Sequence, residues 1–178
     1  MAGGAYNDAS GRALAVVRRL ASREDGAQPW RTESPAYPKA LRERARVSEM
    51  MDWFNSNLYR DLAHGVAYPQ LFPHHERPSD VLQAGTLAWG GNNTRGWLAT
   101  LDKRIGSQRF LCGDAPTIAD HFGAPGISLG ELLGADLRAY PNVQRWFANA
   151  KALPSWPKVN EAFDSLARSV AGATFVSF

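Results

Sequence analysis

Five side chains between positions 53 and 68 are the first candidates for chemistry. Trp53, Asn57, Arg60 and His64 recur in steps of three and four, and Tyr68 follows four residues later. On an α-helix that spacing places residues on one face. Trp53 offers a broad apolar wall, and Asn57 and Arg60 offer directed hydrogen-bond donors. Tyr68 falls just past the expected helix end. An apolar wall with a few convergent polar groups is the usual make-up of a small-molecule site. The plainer alternative is that the polar members face water or pair with each other, Arg60 with its neighbour Asp61.

Other reactive residues point less clearly to a site. His74-His75-Glu76 brings three potential ligands together, but adjacent histidines diverge and no further ligands are spaced to close a tetrahedron, so no metal is expected. His121 reads as a hydrogen-bonded core histidine before it reads as a base. Cys112 lies in an apolar segment without a nearby lysine or histidine, which suits a buried, inert thiol. Asn92-Asn93-Thr94 matches the glycosylation pattern, yet nothing else indicates secretion. No phosphate loop, dinucleotide fingerprint or serine-elbow motif occurs.

The elements that must position these groups are helical throughout. Val47, Met50, Met51, Phe54, Leu58 and Leu62 mark one apolar face of a helix from 38 to about 66, opened by Pro38 and ended by Gly65, Pro69 and Pro73. Ser79 or Asp80 can cap a second helix reaching about 105, with Val81, Gly85, Leu98, Leu101 and Ile105 inward and Gly90-Gly91 loosening its middle. A third helix runs from Thr117 to about Leu133, with a kink expected at Pro125. Pro141–Lys151 and Ser155–Val170 are two more, followed by the apolar tail Ala173–Phe178. Near the start, Ala13, Leu14, Val17, Leu20 and Ala21 give Ser10–Ser22 an amphipathic helical pattern bordered by Arg12, Arg18, Arg19 and Arg23. Residues 23–37 read as a linker. The division expected is thus 1–37, helix and linker, and 38–178, a helical domain. The fold class expected is all-α, a bundle of about five or six helices.

Composition excludes several classes. The 178 residues hold 20 basic and 17 acidic side chains, and the net charge of +3 does not support nucleic-acid binding despite a pI near 9.2. Basic and acidic residues alternate along Arg42–Asp52 as on a solvated helix face. No apolar run approaches the ~20 residues of a membrane span. Met1–Ala5 shows no signal-peptide pattern, and the single cysteine fits a reducing compartment, so a cytoplasmic location is expected.

One segment is more specific than the rest. In Phe110-Leu-Cys-Gly-Asp-Ala-Pro-Thr-Ile-Ala-Asp120, Thr117 is followed three residues later by an acid. That is a capping-box signature, in which Thr117 and Asp120 satisfy each other's free amides at a helix start. It is preceded by Trp97-Leu-Ala-Thr-Leu-Asp-Lys103 and followed by Tyr140-Pro-Asn-Val-Gln-Arg-Trp146-Phe and Leu153-Pro-Ser-Trp156. That order, over residues 38 to 165, resembles the helical C-terminal domain of the glutathione transferase family.

The resemblance implies that the first long helix lines the pocket for the electrophilic co-substrate, with Trp53, Asn57, Arg60, His64 and Tyr68 as its substrate-binding residues. Thr117 and Asp120 keep a structural role. The run Trp53–Arg60 with Tyr68-Pro-Gln-Leu-Phe-Pro73 is similar to one bacterial branch. Family members carry a thioredoxin-like glutathione domain ahead of this point. Only Ser10–Ser22 looks like its last helix, and the acid-Ser pair expected there is Ser10-Gly11 or Arg12-Ala13. The resemblance therefore implies no cofactor, with glutathione bound only if a partner supplies the site. Whether the chain is an enzyme stays open. Three readings remain: a transferase relative whose activity needs further sequence, a binder of an apolar small molecule, or a non-catalytic assembly module. A homodimer or a partner protein is expected, and the pocket is expected between the long helix and the kinked helix.

Overall fold

The computed structural model describes residues 34–178. The helix expected over Ser10–Ser22, and the linker up to residue 33, lie outside the described residues. Among the described residues the architecture is all-α, as the periodicity predicts, and there is no strand. Helix α1 is one continuous run made of Leu41–Trp53, a π-wound stretch Phe54–Ala67 and a last turn Tyr68–Leu71. It extends past the expected end near 66, because Pro69 stands in the first turn of the final α-helical segment, where its missing donor costs little. Helices α2 (Asp80–Ile105), α3 (Ile118–Leu132), α4 (Pro141–Lys151) and α5 (Trp156–Ser169) follow.

The predicted stripe of α1 is the core. Val47, Met50, Phe54, Leu58 and Leu62 are all buried, and only Met51 is partly exposed. Around them gather Leu98, Leu101 and Ile105 of α2, Ile127 of α3 and Trp146 and Phe147 of α4. A second cluster joins the far half of α1 to Leu129 and Leu133, with Phe163, Phe175 and Phe178 packed on it. The apolar tail is therefore docked. The Gln70 side-chain amide donates to the Val176 carbonyl at 3.0 Å, and its carbonyl accepts the Val176 amide at 2.7 Å.

Two expectations about α2 are corrected. Val81 and Gly85 face outward, with Val81 82% exposed, while Leu87, Gly90, Gly91 and Thr94 turn inward beside Leu98, Leu101 and Ile105. The cause is a backbone contact. A Cβ on Gly90 would stand 2.6 Å from the Gly65 carbonyl carbon, and one on Gly65 would stand 2.9 Å from the Gly90 Cα. The glycine pair is the crossing point of α1 and α2, and it fixes which face of α2 is buried. The Thr94 hydroxyl also donates to the Gly90 carbonyl at 2.8 Å.

Helix α3 begins at the capping box read from the sequence. The Asp120 carboxylate accepts the Thr117 amide at 2.7 Å and the Thr117 hydroxyl at 3.0 Å. It also accepts the Leu111 amide at 2.9 Å and the Trp146 indole at 2.8 Å, neither of which local sequence foretells. Asp102 of α2 does similar work at the start of α4, accepting the Asn142 amide at 2.7 Å and the Val143 amide at 3.0 Å. Gly113 holds φ at +143°, which lets Phe110 and Gly113 close a tight turn with a 2.8 Å bond.

The glycines of α2 give a test with opposite signs. Gly90→Ala gains up to ~1 kcal/mol of helix propensity, but its methyl meets backbone that cannot yield, and overpacking costs ~1–3 kcal/mol. Gly85→Ala meets nothing within 4 Å. The urea midpoint is expected to fall for Gly90→Ala and to hold or rise for Gly85→Ala.

Candidate functional site

The structure does not gather the five candidate residues into one site. An i→i+5 helix turns less per residue than an α-helix, so a stripe chosen at 3.6-residue spacing drifts off its face across Phe54–Ala67. Trp53 and Arg60 go to one group, and His64 and Tyr68 to another. Asn57 is half-buried, and its amide lies 3.4 Å from the Ser56 hydroxyl.

The first group is centred on Asp61, which is fully buried. Arg60 donates to both of its oxygens, at 2.7 and 2.9 Å, and the Trp97 indole donates at 2.8 Å. Trp53 closes the group edge-on to Trp97, with ring centroids 6.0 Å apart. Burial works against the Asp61 charge, but the bonds from Arg60 and Trp97 and the Arg60 charge outweigh it and hold the carboxyl below the usual range. The pairing of Arg60 with Asp61, weighed above as the plainer reading, is what occurs.

The second group is an aromatic cluster at the end of α1. Tyr68 meets His64 at 5.0 Å, His75 at 5.3 Å and Phe72 at 5.4 Å between ring centroids. The Tyr59 and Tyr68 hydroxyls share a hydrogen bond, and burial first, then that bond, raises the Tyr68 pKa. Tyr59 was not singled out by the spacing, because the π winding is what turns it toward Tyr68. Burial, and then the neighbouring His74, His64 and Arg77, lower the His75 pKa. Among the described residues no group of three or more His, Cys, Asp or Glu could hold a metal ion. His121 is exposed, which corrects its reading as a core histidine. Cys112 is half-buried, and burial pushes its thiol pKa up, consistent with an unreactive thiol.

The gap expected between α1 and α3 is filled. A Cβ on Gly123 would stand 2.7 Å from the Phe54 ring, and one on Gly126 would stand 3.8 Å from the Tyr59 ring. The glycines beside Pro125 thus bring α3 against α1. Helix α3 continues across Pro125, which instead faces the other side. There a mainly apolar groove of about 460 Å³ runs between α3 and α5. Its walls are Pro125, Leu153, Trp156, Val159 and Phe163, with His121 and the buried Asn160 as polar members. The sequence signal was present in Trp156, Val159, Asn160 and Phe163, which recur in helical steps on α5.

Residues 92–154 match the family described as Glutathione S-transferase, C-terminal domain. An unclassified glutathione S-transferase of Bombyx mori aligns with a TM-score of 0.66 at 22% identity, over 92% of this chain and 69% of that one. A delta-class glutathione transferase of Nilaparvata lugens gives 0.61 at 23%, over 89% and 69%. A glutathione S-transferase of Xanthobacter autotrophicus gives 0.61 at 22%, over 74% and 63%. The described residues thus share the helical fold of the glutathione S-transferase C-terminal domain. It spans between 60% and 69% of the length of the first four solved relatives it matches.

Asp61 gives the pH test. Its folded pKa is depressed, so its stabilisation is complete above the unfolded value of ~4 and is lost as pH falls through the lower folded value. Asp61→Asn is expected to lose about 1–3 kcal/mol at pH 7. Urea titrations should show that deficit shrinking as the pH is lowered toward 3.

Proposed function

We propose that this helical domain binds an apolar small molecule, and that the site is the groove between α3 and α5. One observation carries the reading: this groove among the described residues is mainly apolar, and its volume of about 460 Å³ falls within the ~300–1,000 Å³ of small-molecule sites. Trp156 and Phe163 supply flat walls, and Pro125 stiffens the facing helix. His121 and Asn160 give a ligand polar contacts at the margin. The transferase fold supports this as analogy, since folds host chemistry without determining it. The reading keeps the apolar ligand expected from sequence and moves it from Trp53, Asn57, Arg60, His64 and Tyr68 to the other side of α3. A cytoplasmic location belongs to the same proposal, supported by the single cysteine.

Titration with an apolar fluorescent probe separates the two places. Val159→Asp puts a charge on a 65% exposed wall position, so the fold is expected to survive, and probe affinity should fall about tenfold. Trp53→Ala and Asn57→Ala should leave it unchanged. Probe affinity indifferent to Val159→Asp and reduced by the Trp53 and Asn57 variants would return the site to α1.

A second observation favours self-association. Val81, Leu82 and Trp89 are exposed on α2, with the small residues Gly85 and Ala88 between them. A continuous apolar face of this kind suits a twofold contact with a second copy. Sedimentation is expected to show a dimer at micromolar concentration, reduced to monomer by Trp89→Asp.

A further inference from the structure

We propose that the α3/α5 groove selects an uncharged aromatic molecule that donates one hydrogen bond, a phenol or aryl alcohol, and that Asn160 accepts that bond. The inference rests on the groove being the ligand site proposed above, and it names the class of ligand that site takes.

Asn160 stands on α5 in the wall of the groove and is only 3% exposed. Its Nδ2 donates to the Trp156 carbonyl one turn back, at 3.0 Å. That bond occupies one end of the amide and fixes its rotation. The other end, Oδ1, accepts no hydrogen bond from the described residues. Among those residues the one sealed side-chain polar atom without a partner is the Arg44 Nε. Oδ1 is therefore not sealed, and the groove is the cavity that its residue lines.

An amide oxygen only accepts. A purely apolar ligand that fills the groove takes water away from Oδ1 and returns nothing, which leaves a buried acceptor unpaired. A ligand hydroxyl at that depth restores the bond. Sites built around such a group discriminate against the analogue that lacks the donor. The half-buried rings of Trp156 and Phe163 supply the apolar contact, and Trp156 is held edge-on to Phe147 with centroids 5.9 Å apart. Flat rings that are already positioned favour an aromatic partner.

Charge narrows the class further. Asp120 also lines the groove and is fully buried. The donors on its carboxylate are two backbone amides, a hydroxyl and an indole, all uncharged. Among the described residues no cation pairs with it, and no lysine or arginine lines the groove. A ligand carboxylate would bring like charge toward Asp120 and offer Asn160 no proton.

Titration of the full chain at neutral pH with naphthalene, 2-naphthol and 2-naphthoate, each followed by its own fluorescence, tests the class. 2-Naphthol is expected to bind about fivefold tighter than naphthalene, and 2-naphthoate more weakly than either. Asn160→Leu keeps the side-chain size and removes the acceptor, so 2-naphthol and naphthalene should then bind equally. Equal affinities for the unaltered chain overturn the proposal, whether or not the Asn160 variant folds. A preference for 2-naphthol that survives Asn160→Leu overturns it too, as does 2-naphthoate binding tighter than naphthalene. If binding in those cases is still weakened by Val159→Asp, the groove remains the ligand site and only its selectivity is withdrawn. Binding that ignores Val159→Asp withdraws the site and its selectivity together.

Discussion

The carboxylate of Asp120 is the constraint on which the rest of the domain depends. It is fully buried and accepts four hydrogen bonds, from the Thr117 amide and hydroxyl, the Leu111 amide and the Trp146 indole. A buried carboxylate is tolerable only when its oxygens are fully engaged. Satisfying it therefore dictates three placements together: the start of α3, the turn at 110–113 and the inward pose of α4. Asp102 repeats the principle on a smaller scale by capping α4 from α2. Helices joined by such polar links cannot slide independently, which explains how short elements such as α4 hold a fixed orientation.

Glycine contacts complete the frame. Gly65 against Gly90 brings the backbones of α1 and α2 together, and Gly123 admits the Phe54 ring against α3. Both approaches exclude a side chain, and the second takes up space where a pocket between α1 and α3 had been expected. The groove survives on the opposite side of α3, where Pro125 faces α5 and no glycine permits close approach. Function and packing are thus linked by the same residues. The close contact on one face of α3 and the open groove on the other both follow from which side carries glycine and which carries proline.

The polar residues of α1 show how a site reading and a structural reading can share one pattern. Trp53 and Arg60 look like convergent binding groups in sequence. In the fold they serve the buried Asp61 carboxylate, which pairs with the exposed Arg60 and accepts the Trp97 indole. His64 and Tyr68 instead enter an aromatic cluster with His75 and Tyr59. The division arises because the π-wound stretch rotates the two halves of the stripe apart.

By itself the sequence determined the helices, their order and most of their ends. Apolar residues at 3.6-residue spacing, prolines in first turns and the Thr117–Asp120 cap are local signals, and each acts within a turn or two of chain. It also determined that Val47, Met50, Phe54, Leu58 and Leu62 form the core face of α1. Only the tertiary structure decided that Asp120 reaches Trp146, that Asp102 caps a helix 40 residues away, and that Gly90 turns Val81 outward. It alone set the concave surface between α3 and α5. The reason is physical: hydrogen bonds and close contacts between distant segments depend on how helices cross, and crossing is fixed by side-chain volume at single points such as Gly65 and Gly90 that no periodicity reveals.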